Sequence, residues 1–437
     1  MAVIPQEKSL DSALDVLKDG FEFIQKRCRQ HGSDIFRTRL LFKDTICMSG
    51  EAAAQIFYDP ERFVRHGAIP KPIQKTLLGE RSIMTTDDAM HRRRKEMFMS
   101  VMNPGSIQKL MDEMTEQWQT AISRWEQQPK VVLFDETQEI LFRSACAWAG
   151  VPLDGTDVRS RTKDFATMVD AFGSAGPRHF RGRWARQRSE TWMQEVIGQI
   201  RDGRLLAPQH TPAHAVAFYK EIDGQPLDTK LAAVELINLI RPIVAISWYI
   251  TFAALALHEY PNWRNILQQG KQEELNWFVD EVRRFYPFAP FTGARVRTLF
   301  RWHGYMFQPD TLVLLDIYGT NRDPRIWDLP NEFWPGRFKN WQGDRFRLIP
   351  QGGGDYLTGH RCAGEWITIE TTKLAVRFLT TYIDYDVPKQ DLSYSLSRMP
   401  TMPRSYFIIQ QVRKRPASKP EEFVSPEELP LEVRAQV

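Results

Sequence analysis

Residues 229–258 constrain the fold more than any other stretch. They read as one long helix, and its second half is apolar on nearly every face. Such a helix lies in a membrane or in a large core. The run from Leu236 to Leu257 is interrupted by Asn238, Arg241 and Pro242. The uninterrupted part, from Pro242 onward, is shorter than the roughly 20 residues that span a bilayer. The pattern therefore predicts a helix crossing a protein core. A chain of 437 residues is long enough to close one large unit around a bulky cofactor.

Composition narrows the function classes. Lys plus Arg is 58 against 54 Asp plus Glu, and a net charge of +4 argues against a dedicated nucleic-acid binder. The 26 Phe, 13 Trp and 12 Tyr suit a large apolar pocket. Cys28, Cys47, Cys146 and Cys362 lie far apart with no CxxC pair, which excludes a disulfide framework and the common zinc-finger patterns and suits a reducing cytoplasm. Met1 to Gly20 is polar and lacks the apolar region of a signal peptide.

The rest of the chain reads as mainly α with small β-sheets. A hairpin is expected over 38–49, with Lys43-Asp44 near its turn. Helices are expected over 51–58, 106–127, 271–286 (ending before Pro287) and 363–383. Short strands are expected at 293–299, 303–307, 311–317 and 404–412. Residues 205–214 read as a loop, and His210 and His214, with Pro212 between them and no third ligand, make a poor metal site. Residues 1–415 are expected to form one domain. The Pro- and Glu-rich segment 416–437 reads as a flexible tail.

The most informative stretch is Pro350-Gln351-Gly352-Gly353-Gly354-Asp355-Tyr356-Leu357-Thr358-Gly359-His360-Arg361-Cys362-Ala363-Gly364-Glu365. It sets one cysteine after a Gly-rich loop and just before a helix, where backbone amides and adjacent Arg361 favour a thiolate. Glycines let the main chain lie close against a flat ligand. A phosphate loop is excluded because no Gly-Lys-Ser/Thr follows. A metal ligand and a buried structural cysteine both remain open on this loop alone. Two further features narrow the choice. Glu281 and Arg284 sit at i and i+3 on one helix face, and Pro335-Gly336-Arg337-Phe338 offers a second arginine to the same carboxylate.

In this order and spacing the three features resemble the cytochrome P-450 superfamily. The resemblance covers residues 5–412 and implies that family's single-domain fold around a buried haem b. It makes Cys362 the axial iron ligand and Glu281, Arg284 and Arg337 a structural triad. Asp355, Thr358 and His360 depart from the common loop pattern FxxGxRxCxG. The run instead looks like that of the bacterial fatty-acid peroxygenases, which use hydrogen peroxide directly.

The middle of the long helix carries Arg241-Pro242 where most superfamily members have an acid-alcohol pair. A charge in so apolar a helix needs an anion, either an internal Asp or Glu or a bound carboxylate, which guanidinium grips bidentately. Pro242 removes a backbone N–H and opens the helix. The peroxygenase branch has Arg-Pro-x-x-Ala here, matched by Arg241, Pro242 and Ala245. The resemblance implies that Arg241 holds a fatty-acid carboxylate and that this carboxylate acts as the acid–base in peroxide activation. The products implied are 2- or 3-hydroxy acids and, by decarboxylation, terminal alkenes.

The same resemblance assigns Leu78 and Met84 to the pocket. Met84 stands where alkene-forming members have His and hydroxylating ones Gln, and a thioether donates no proton, so the product ratio stays open. His91, Lys95 and Arg65 are assigned to the haem propionates. Phe288, Phe291, Val169 and Phe172 are assigned to the pocket and acyl channel. The basic segment Arg178–Arg188 reads as a solvated face or a steering patch. The expected protein is a cytoplasmic, peroxide-driven fatty-acid oxidase with no redox partner and no membrane span. The alternatives are a redox-partner-dependent monooxygenase using NAD(P)H and a non-catalytic haem-based sensor.

Overall fold

The computed structural model describes residues 3–416. The expected tail lies outside the described residues from 417 onward.

The predicted core helix runs from Thr229 to Glu259. Asp228 caps its start, its side chain accepting from the Leu231 N–H at 2.9 Å. From Leu231 to Leu257 every residue except Pro242 is buried. The helix is long and apolar enough to cross a membrane, yet 94% of its apolar window is covered by the protein itself. The helices Leu133–Ala149, Pro177–Arg201 and Glu365–Arg377 make its most extensive contacts. Pro242 has no N–H, so the Asn238 carbonyl one turn earlier lacks its helical donor.

The main sheet joins residues 35–64 to residues 291–316. Its order is Ile35–Leu40, Lys43–Met48, Leu312–Asp316, Phe291–Val296 and Phe63–Val64. Lys43–Met48 pairs in parallel with Leu312–Asp316, and the other neighbours are antiparallel. A second sheet sets Ile408–Lys414 between Val131–Val132 and Ile383–Asp386. The two-stranded hairpin Phe300–Trp302/Tyr305–Phe307 accounts for the strand expected at 303–307.

Several boundaries shift for identifiable reasons. The first hairpin turns at Leu41 and Phe42, both with positive φ, and Lys43 and Asp44 belong to the second strand. The Asp11 carboxylate takes the Phe42 N–H and so fixes that turn. The loop expected over 205–214 gives way to a short helix, Pro212–Ala217, capped by Thr211. His214 is engaged there through Nδ1 with the Ala207 carbonyl at 3.2 Å. The helix expected over 363–383 is α-helical only over Glu365–Arg377 and continues as one π-turn, Phe378–Tyr382. The helix Gln272–Phe285 ends where Tyr286, preceding Pro287, is forced extended.

Candidate functional site

Cys362 lies half-buried just ahead of Glu365–Arg377, and its N–H donates to the Gln351 carbonyl at 3.1 Å. The loop that carries it is pinned by its own side chains. Asp355, at a position where the common pattern has Phe, accepts from the Leu357 and Thr358 N–H groups at 3.0 and 2.7 Å. The buried Tyr356 hydroxyl donates to the Ala363 carbonyl at 2.8 Å. The glycines serve the protein more than a flat ligand. A Cβ on Gly353 would lie 2.5 Å from the Arg345 carbonyl, and one on Gly354 2.9 Å from the Tyr58 Cβ. At Gly364 the same Cβ would meet open space.

Arg361 is engaged by a carboxylate of the following helix. Its Nε donates to Glu365 at 2.6 Å, and Glu365 also pairs with Arg283. Burial pushes the Cys362 thiol up. The Lys95 ammonium, the Gly364 N–H and the Gln351 side chain work against that. The residues thus hold a sulfur that needs a cation to become a thiolate.

Behind the loop, Arg284 donates to both oxygens of Glu281 at 2.7 Å, and both side chains are fully buried. Arg337 Nε adds a third bond at 3.1 Å, and the Trp334 N–H a fourth at 2.8 Å. Arg284 also reaches the carbonyls of Asn321, Pro330 and Glu332. The predicted triad therefore ties one helix to the 321–337 segment that leads into the cysteine loop.

The residues assigned to propionates come from two segments and meet His360 of the cysteine loop. Arg65 donates to the Gly293 carbonyl at 2.6 Å and lies over the Phe57 and Tyr58 rings. The His91 ring packs on His360, with ring centroids 3.8 Å apart. Lys95 Nζ donates to the Arg361 carbonyl at 2.6 Å. Asp87 lies among them, 3.4 Å from His360, and takes the N–H groups of Arg65 and His66 at 2.8 Å. Burial would raise Asp87, but His360 and these N–H groups hold it at about 2. Burial and the neighbouring cations push His91 down to about 2. Burial also takes His360 to about 4 and Lys95 to about 8. Asp87 is the carboxylate beside Arg65, His91 and His360, while Lys95 lies near Asp355 and Glu365. A haem fits this cluster, since it brings a metal for Cys362 and two carboxylates for the surplus of basic groups.

Arg241 is 7% exposed. Its Nε has no hydrogen-bond partner, and a terminal nitrogen lies 3.5 Å from the Asn238 Oδ1. Among the described residues no carboxylate pairs with it. Burial first, then the Arg186 charge, pushes its guanidinium down to about 9. Glu235, the carboxylate on the same helix, is committed elsewhere. It accepts from the Ile83 N–H at 2.8 Å, from Asn238 at 3.1 Å and from Arg94 at 3.4 Å. An internal partner for Arg241 is thus not what the structure provides.

One turn beyond Arg241, Ala245 packs in a cluster with Phe134, Val169, Trp248 and Met402, against which Leu77 and Phe288 also lie. Val169 and Phe288 are thus brought together with the core helix, as the sequence suggested. Phe291 is not. It opens a strand and packs with Phe23, Ile24, Phe36, Cys47 and Leu314 near the N-terminus. In the 74–78 turn it is the Leu77 side chain that joins the cluster, while Leu78 offers its carbonyl to Asn238 at 2.9 Å. Met84 packs against the main core from the short turn Ile83–Thr85. Phe172 is half-buried, its N–H on the Val169 carbonyl at 3.0 Å. Sequence reasoning missed Leu77, Phe134, Trp248, Met402 and Asn238. Of these, Trp248 and Asn238, on the core helix itself, were the ones its periodicity could have offered.

A family model described as Cytochrome P-450 matches residues 271–389, the stretch holding the triad and the cysteine loop. Among curated relatives, Cytochrome P-450 71B10 of Arabidopsis thaliana is 31% identical over 120 residues, 26% of this chain and 23% of that protein, so the match spans about a quarter of the relative's length. Solved structures match over nearly the whole chain. Cytochrome P-450EX alpha (CYP152N1) with myristic acid is 40% identical, with a TM-score of 0.92 over 95% of this chain and 100% of that one. Cytochrome P-450SP alpha (CYP152B1) in complex with (R)-ibuprophen is 42% identical, with a TM-score of 0.91 over 93% and 99%. A variant of cytochrome P-450 OleT in complex with arachidonic acid is 34% identical, with a TM-score of 0.92 over 96% and 100%.

Proposed function

The chain belongs to the cytochrome P-450 family, in its CYP152 branch, and we propose that it oxidises free long-chain fatty acids at Cα or Cβ using hydrogen peroxide. The observation that carries this reading is Arg241, a buried guanidinium with no carboxylate of its own. The molecules bound in the three related structures are all carboxylic acids. A carboxylate at Arg241 would take bidentate hydrogen bonds and cancel an uncompensated charge.

Cys362 would hold the iron of haem, and Arg65, His91, Lys95 and His360 its carboxylates; the group would supply peroxide activation and oxygen insertion. The protein's own residues supply the rest. Arg241 fixes the acid's carboxylate. The core helix offers no acid–alcohol pair beside it, so the bound carboxylate is the group that takes a proton from peroxide and returns it. Val169, Ala245, Phe288 and Leu77 exclude water and hold the acyl chain, so that carbons next to the pinned carboxylate react. Hydroxylation gives 2- or 3-hydroxy acids, and loss of the carboxylate gives terminal alkenes. Met84, with no proton to donate, favours the hydroxy acids.

Residues 1–415 are taken as one haem-thiolate domain, because the main sheet interleaves residues 35–64 with 291–316. The protein is taken as cytoplasmic, in keeping with four free cysteines, and as independent of a reductase. Purified protein given hydrogen peroxide and myristic acid, with products read by gas chromatography, tests the proposal. Hydroxy acids or alkene without NAD(P)H, lost in Arg241→Ala, are expected. Product only with a reductase and NAD(P)H would make it a monooxygenase, and no product either way a sensor.

A further inference from the structure

The helix Pro177–Arg201 packs one face on the core helix and on the 74–78 turn that carries Leu77, and leaves an unusual stripe on the other. Gly182, Ala185, Arg186 and Ser189 face inward. The fit is close: a Cβ on Gly182 would lie 2.3 Å from the Ala171 Cβ and 3.7 Å from Thr76. Arg186 donates to the Leu77 carbonyl at 2.9 Å, and Leu77 packs in the pocket cluster. At about 100° per residue the opposite face presents Phe180 and Trp184, one turn apart. They are 53% and 60% exposed. Arg183 lies on one side of this ridge, and Arg181 and Arg188 on the other, all exposed.

Charge and apolarity on this face agree on one kind of surface. Arg188 is paired with Asp164, and Arg186 with Glu190. Among the described residues Arg181 and Arg183 have no hydrogen-bond or ion-pair partner, and the exposed Lys75 of the underlying turn has none either. The stretch around Phe180 and Trp184 is therefore cationic, and the exposed acid on the same face, Glu195, lies about three turns beyond Trp184. An aromatic ridge between arginines is the pattern of a helix lying in a lipid headgroup layer. A second exposed apolar group is linked to the same edge. Arg178 donates to the Met399 carbonyl at 2.9 Å, and Met399 packs on Phe21 and Val16 of the N-terminal helices, where Leu14 and Leu17 are exposed.

We propose that the outer face of the Pro177–Arg201 helix, through Phe180, Trp184, Arg181 and Arg183, docks the protein reversibly on an anionic phospholipid bilayer. A protein docked this way rests the roof of its acyl pocket against the phase in which long-chain acids reside. The inference does not need the activity proposed above, because docking is measured without substrate.

The test is flotation of the full-length holoprotein with vesicles of phosphatidylcholine and phosphatidylglycerol (1:1), and with phosphatidylcholine alone. Wild type should float with the anionic vesicles, stay behind with the neutral ones, and be released by high salt. Arg181→Gln/Arg183→Gln should lower the partition coefficient roughly 30-fold, about fivefold for each arginine. Phe180→Ser/Trp184→Ser should lower it at least as far. Unchanged Soret absorbance and circular dichroism show that both variants are folded. The proposal is overturned if wild type does not float, if it floats equally with both vesicles, or if either double variant floats as well as wild type. It is also overturned if wild type is a dimer that the aromatic variant converts to monomer without changing flotation, since the ridge would then be a contact between two copies.

Discussion

Replacing Arg241 by leucine should raise the stability of the acid-free enzyme while removing its ability to be stabilised by acid. The guanidinium is 7% exposed, has an unpartnered Nε, and sits at about 9 rather than the ordinary 12.5. That displacement corresponds to on the order of 5 kcal/mol against the charged form. At pH 7 the group is charged in both the folded and unfolded chain, so the whole disadvantage is present there. It is relieved only as pH rises through about 9. A leucine in the same space removes the charge and keeps apolar packing, which recovers roughly 1–4 kcal/mol. Unfolding entropy of about 2.1 cal/mol/K per residue makes this an increase of about 1–4 °C in a chain of 437 residues. Differential scanning calorimetry at pH 7 measures it. Myristic acid at 100 times its dissociation constant should add about 2.7 kcal/mol to wild type, near 3 °C, and nothing to the variant. A fall of several degrees in Arg241→Leu would mean that the arginine has a hidden internal partner. Equal stabilisation of both proteins by myristic acid would place the carboxylate elsewhere. Either result refutes the reasoning.

Glu281→Gln should cost about 3–5 kcal/mol, because it leaves the fully buried Arg284 without its carboxylate; thermal unfolding by circular dichroism and the loss of bound haem on gel filtration check it. Cys362→Ala should purify without a haem-thiolate Soret signature in its reduced CO complex, while the fold persists by circular dichroism. Met84→His should raise the alkene fraction and Met84→Gln the hydroxy-acid fraction, both read by gas chromatography under identical peroxide. Phe288→Ala should change the product distribution, whereas Phe291→Ala should leave it unchanged and lower stability by no more than the ~3–5 kcal/mol of a fully buried Phe, since the two rings lie in different clusters.

What the sequence made legible was whatever depends on local spacing. The core helix and the Gln272–Phe285 helix follow from apolar periodicity and from Pro287. Glu281 and Arg284 meet because three residues is nearly one turn. Local spacing is overridden elsewhere. Phe288 and Phe291 are three apart, which on a helix would align them, but a strand begins at Phe291 and turns it to the N-terminal cluster. Leu77 and Leu78 sit in a π-turn, Gln74–Leu78, whose register differs from that of an α-helix. The basic cluster could be read only in part, because His360 and Asp87 reach it from positions 273 residues apart. The Arg94 links to Glu221 and Glu235 also join distant parts of the sequence and left no local trace.

Those long-range links explain how an arginine is kept without a counter-ion inside an apolar helix. Glu235, Asn238 and Arg241 follow one another at three-residue steps, so relaxation of the glutamate toward the arginine is the obvious way for the fold to neutralise itself. Each Glu235 oxygen is instead engaged, one by the Ile83 N–H and Arg94, the other by Asn238. Asn238 is itself held by the Leu78 carbonyl at 2.9 Å. Asn238 then offers Arg241 a neutral oxygen at 3.5 Å, a weak contact that orients the guanidinium without satisfying it. The same segment that supplies the Leu78 carbonyl supplies Leu77 to the pocket, and Arg186 fixes the Leu77 carbonyl from above. The arrangement spends folding stability to keep one cation unpaired beside an apolar chamber. A carboxylic acid with an apolar chain satisfies both features at once, whereas an uncharged hydrocarbon satisfies only the second and leaves the guanidinium as strained as before.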